Sequence, residues 1–128
     1  MPIVQVTSLP FEPPIDLPDV LRGVTEDFVA KTGIAREHVT MTWNVLPPGH
    51  YAQAGVTPVE GHQPPDSHPL LVELSVPDLY EPSRIEELLE VTARCLAERT
   101  GVELTNVFVQ ARTVRSGAVF EAGQIIRW

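Results

Sequence analysis

One small unit occurs twice in this chain. At a spacing of 68 residues, Lys31-Thr32-Gly33-Ile34 returns as Arg99-Thr100-Gly101-Val102, and Ala54-Gly55 returns as Ala122-Gly123. Val20 and Leu21 fall on Leu88 and Leu89, Phe28 on Leu96, and Val39 on Val107. The apolar matches keep their phase without an insertion from residue 20 to residue 55. A repeat of this length implies two copies of one supersecondary unit, each burying its apolar face with the help of the other. The start of the chain adds a second feature. Met1 is followed by Pro2, and Pro69 opens the second copy at a nearly equivalent place.

Both copies order their elements alike. Branched residues mark strands at 3–7 and 70–74. A proline-rich turn and a helix follow each. The first helix is expected to open at Asp16, with Pro18 tolerated in its first turn and a stripe of Val20, Leu21, Val24 and Phe28. In the second, Ser83-Arg84-Ile85-Glu86 has the spacing of a capping box, and Ile85, Leu88, Leu89, Thr92 and Leu96 form the stripe. Gly33 and Gly101 stand where a left-handed residue ends a helix. Second strands are predicted at 39–46 and 107–114. Alternation puts Val39, Met41, Trp43 and Val45 on one face and Thr40, Thr42 and Asn44 on the other. In the second copy Val107, Val109 and Ala111 oppose Phe108, Gln110 and Arg112. Strand–helix–strand units demand right-handed crossovers and parallel pairs. The expected fold is therefore α/β: tandem β-α-β units forming a four-stranded sheet with both helices on one face. One domain, 1–128, would contain repeats 1–55 and 69–123 joined by a linker at 56–68, which is rich in proline and polar residues.

Charge and composition narrow the function. A formal charge of -8 repels nucleic acid phosphates, and an anionic substrate would need a local positive site. No apolar run approaches the roughly 20 residues that span a bilayer, and no signal peptide is evident. The single cysteine, Cys95, fits a reducing cytoplasm and reads as a small buried hydrophobe. The four histidines, His38, His50, His62 and His68, have no compact ligand spacing, so no metal site is expected. No phosphate loop, nucleophile elbow or dinucleotide fingerprint occurs, and no cofactor is implied.

The layout resembles the tautomerase superfamily, whose smallest members, such as 4-oxalocrotonate tautomerase, are one strand–helix–strand–hairpin unit starting with proline. The resemblance rests on Pro2-Ile3-Val4-Gln5-Val6, on the helix ending near Thr32-Gly33, and on Pro48-Gly49-His50-Tyr51 with Gly55. It covers nearly the whole chain, which looks like a fused, two-unit member. The resemblance implies a homotrimer and a catalytic Pro2, freed of Met1 as a secondary amine. Tyr51 matches an aromatic that walls the family's pocket. The family's arginines serve substrate carboxylates. Their places are taken here by Glu12 and Thr40 in the first copy and by Tyr80 and Phe108 in the second. Arg112, on the Phe108 face, is the best remaining cation, and Asn44 could bind a carbonyl oxygen. Glu12 is expected near the mouth of the site.

The expected activity is that of a cofactor-free tautomerase or isomerase, with the Pro2 amine as general base on a small enolisable carbonyl acid. Burial lowers an amine's proton affinity and yields a neutral base. Candidate substrate-binding residues are Arg112, Tyr51, Asn44 and Tyr80. The alternatives are a hydratase or dehalogenase of unsaturated acids with Pro2 as acid, or a non-catalytic trimeric scaffold.

Overall fold

Branched residues at alternate positions build a four-stranded sheet in the computed structural model, which describes residues 1–128. Strand β1 (Ile3–Ser8) runs parallel to β2 (Thr40–Val45), and β3 (Leu70–Pro77) runs parallel to β4 (Val107–Val114). The pairs meet antiparallel between β1 and β3, giving the order β2-β1-β3-β4. Parallel neighbours need crossovers, and helices α1 (Leu17–Thr32) and α2 (Pro82–Thr100) supply them. The register obeys the repeat: Ile3 faces Ser75 and Leu71 faces Thr7, with Gln5 opposite Glu73 at the centre. Exchanging each residue for its repeat partner maps this ladder onto itself.

Local chemistry sets the helix ends. Asp16 accepts a hydrogen bond from the Asp19 N–H at 3.2 Å, capping α1 as expected. Gly33 and Gly101 close α1 and α2 with φ of 74° and 77°, values that a side chain would resist. The start of α2 differs from expectation. Pro82 is its first residue, Glu81 holds the cap position, and no side chain caps it. Proline's fixed φ suits a first helical residue, and its missing N–H needs no partner there. The helix therefore starts ahead of Ser83, and the capping box does not form. Strand β2 begins at Thr40, because the Val39 N–H is already bonded to the Arg36 carbonyl at 3.0 Å.

The core lies between the helices and one face of the sheet. Val4, Val6, Leu70, Val72 and Leu74 meet Val24, Phe28, Leu88, Cys95 and Leu96 there. Burial raises the Cys95 thiol above its ordinary value, so it packs as an inert group. The other sheet face carries Thr40, Ile3, Ser75 and Arg112 in one row, then Thr42, Gln5, Glu73 and Gln110, then Asn44, Thr7, Leu71 and Phe108. A hairpin of β5 (Val119–Glu121) and β6 (Gln124–Ile126) completes the fold. Its counterpart in the first copy is a single bridge, Gln53 to Val56. No helix is long and apolar enough to cross a membrane.

Candidate active site

The antiparallel join decides what surrounds Pro2. It brings the start of β1 beside the end of β3, so the loop leaving β3 borders Pro2. The Pro2 ring is fully buried, and its carbonyl accepts from the Thr40 N–H at 3.1 Å. Pro2 itself does not line the adjacent cavity of about 580 Å³, but its chain neighbours Met1 and Ile3 do. The cavity's apolar wall comes from Leu79, Val114, Val119, Phe120, Ile126 and Trp128. Its polar positions are Thr40, Ser75, His38 and Glu121. This volume lies within the usual range for a small-molecule site.

The C-terminus closes one side of the cavity. The Trp128 backbone N–H donates to the Ser116 hydroxyl at 2.9 Å, and its indole N–H donates to Asp78 at 2.8 Å. The tail folds back on its own chain, and Trp128 keeps 40% of its surface and Ile125 keeps 48%.

The duplicate of this place is filled. Register aligns Pro2 with Leu70, not with Pro69: Ile3 faces Thr40, just as Leu71 faces Phe108. Pro69 thus matches Met1, and the chain runs on backwards into His68. The buried His68 ring reaches the Val56 carbonyl at 2.7 Å, and the His68 backbone N–H donates to the Gln53 side chain at 3.0 Å. Tyr51 stacks edge-on against His68 and donates its hydroxyl to the Pro69 carbonyl at 2.8 Å. Gln63 bridges the Leu9 N–H and the His68 carbonyl, at 3.0 and 2.7 Å. The connecting segment is the stopper of the second end.

The structure divides the candidate residues between the two ends. Pro2, Arg112 and Tyr80 share the open end. Arg112 lies in the row of Ile3, two strands away, or about 10 Å. Its Nε is 3.0 Å from a Glu73 oxygen, and it does not line the cavity. Tyr80 packs against the core. Asn44 and Tyr51 belong to the stoppered end. Asn44 pairs with Thr7 and lines a hollow of about 420 Å³ on the open sheet face, with Gln5, Glu73 and Phe108. Burial raises the Tyr51 phenol above its ordinary value, keeping it a donor. Glu12 also lies away from Pro2, beside His62 in the loop that leaves β1, because the antiparallel join sends that loop to the opposite end.

Sequence reasoning missed His38, Ser75, Glu121 and the aromatic pair Phe120 and Trp128. Ser75 could have been found from the β1–β3 register, had the sequence indicated it. Glu121 lies in a short hairpin with no periodic signal.

No protein-family model and no curated protein sequence matches the chain. Solved structures do. A native fused 4-OT aligns with a TM-score of 0.79 at 18% identity, over 97% of this chain and 95% of its own. A fused 4-OT described as a wild-type symmetric trimer aligns at 0.79 and 14% identity, over 98% and 95%. A member of the cis-3-chloroacrylic acid dehalogenase family aligns at 0.73 and 21% identity, over 98% and 83%. The chain has the tautomerase-like α/β fold of these proteins.

Proposed function

We propose that the chain is a cofactor-free tautomerase whose base is the amine of Pro2 after removal of Met1. The observation that supports this most is the burial of the Pro2 ring between Met1 and Ile3, both of which line the cavity. With Met1 attached, the Pro2 nitrogen is an amide without a basic lone pair. Once freed, it is a secondary amine on a buried ring beside the cavity, where desolvation disfavours its ammonium form. The neutral amine takes a proton from the enol oxygen or the α-carbon of a small carbonyl compound. It then returns the proton to the other atom of the conjugated system. The hydroxyls of Thr40 and Ser75 are the donors for the oxygen that carries charge in between.

Intact mass of the purified protein shows whether Met1 is gone. On protein without Met1, Pro2→Ala keeps a primary amine but loses the ring's fixed orientation. Its kcat/KM on an enol panel should fall about 10²–10⁴-fold, the usual scale for a positioned acid–base group. Equal rates for both proteins would instead favour a binding scaffold.

A further inference from the structure

We propose that the Pro2 cavity selects uncharged, single-ring aromatic carbonyl compounds over their carboxylate-bearing counterparts, with Glu121 setting that choice. This rests on the reading of the cavity as the active site and concerns what it admits. Phe120 and Trp128 give it aromatic walls, and Leu79, Val114 and Ile126 complete an apolar lining that gains from covering a ring. Thr40 and Ser75 supply the one or two donors that a carbonyl oxygen needs.

A carboxylate fares badly in the same space. No arginine or lysine lines the cavity, and Glu121 places a carboxylate on its wall. Arg112, the guanidinium on the same sheet row as Thr40 and Ser75, does not line the cavity and is engaged by Glu73 at 3.0 Å. The Trp128 indole N–H, which could serve an anion, is taken by Asp78, and this sets a second carboxylate behind the wall. His38 is the one basic side chain present. An anion entering here exchanges part of its water for an apolar wall and meets the like charge of Glu121. A second copy of the chain would bring its own formal charge of -8.

The test uses probes that differ in the carboxylate, at pH 8. For binding, acetophenone is compared with benzoate by the NMR signals of the two indole N–H groups. Trp128 lines the cavity, while Trp43 donates to Ser8 at 2.9 Å at the far end of β1 and serves as the internal control. Acetophenone should move the Trp128 signal alone, and benzoate at equal concentration should move neither. For turnover, the enol of phenylacetaldehyde should exceed the enol of phenylpyruvate in kcat/KM by roughly tenfold or more. Glu121→Gln should shrink that ratio by roughly 5- to 10-fold, the scale of one like charge near a protein surface. Glu121 is exposed and makes no side-chain hydrogen bond, so the exchange strands no partner. Benzoate moving Trp128 in the wild type, a preference for phenylpyruvate, or an unchanged ratio in Glu121→Gln would each overturn the proposal. If neither enol is turned over but the Trp128 preference holds, the catalytic reading falls and the selectivity stands.

Discussion

Arg99 shows how one side chain in this fold depends on the absence of another. Its guanidinium crosses from α2 onto α1 and grips Asp27 with two bonds, Nε at 2.8 Å and Nη2 at 3.0 Å. It passes over Gly23, where an added Cβ would sit 2.7 Å from Nη1. The helix tolerates glycine there because the guanidinium uses the space. Hydrogen bonding to Arg99 holds the Asp27 carboxyl below its ordinary value of 3.8, outweighing the opposing effect of burial. A lowered folded value stabilises the protein above the unfolded value, and the gain vanishes as pH falls through the folded one. Asp27→Asn should therefore lower stability at pH 7, and its deficit should shrink as pH falls below the ordinary carboxyl value. Urea melts across that range check this. A deficit that does not change with pH would mean that packing, not charge, is at stake.

Among the elements, the two helix starts invite a direct comparison. Asp16 caps α1, so Asp16→Ala should cost about 1 kcal/mol. Ser83 lies inside α2 and caps nothing, so Ser83→Ala should change stability by less than about 0.5 kcal/mol. Thermal denaturation of the two variants separates these outcomes, and a large loss at Ser83 would restore the capping box. The contrast also shows what the sequence can carry. Stripes such as Val20, Val24 and Phe28 are legible because their period is local, and the strand faces are legible for the same reason. The start of α2 offered two local signals, and proline prevailed over serine. The β1–β3 register is a long-range pairing, which no local pattern encodes. Glu12 consequently reads as a neighbour of Pro2, although it stands at the other end of the sheet. Pro2 could be singled out in the sequence because the chemistry proposed for it depends on its place in the chain. The cavity wall was not, because Val114, Phe120 and Trp128 meet only after the chain has closed on itself.

For the whole molecule, the outstanding surface is the sheet face without helices, where Leu71 and Phe108 keep 40% and 52% of their area. The β5–β6 hairpin adds Phe120 at 70% and Ile125 at 48%. Strands β2 and β4 are open edges, which proteins usually cover. We propose a homotrimer with the sheets inward, consistent with fused 4-OT structures described as trimers. Light scattering at micromolar concentration should return three times the 14.1 kDa of one chain. A value of 14.1 kDa would leave these surfaces to another partner.

The filled end beside His68 bears on how such a chain can change over generations. Joining two units through a peptide bond leaves one free terminus where two separate units would have two. Reactivity that needs a terminal amine can then survive at only one of the paired positions, whatever residue stands at the other. Leu70 occupies that other position, fully buried in the core. Substitutions there, and at Tyr51, Gln63 and His68 around it, touch the packing and hydrogen bonds of the join. A new activity at that end would have to be built from side chains.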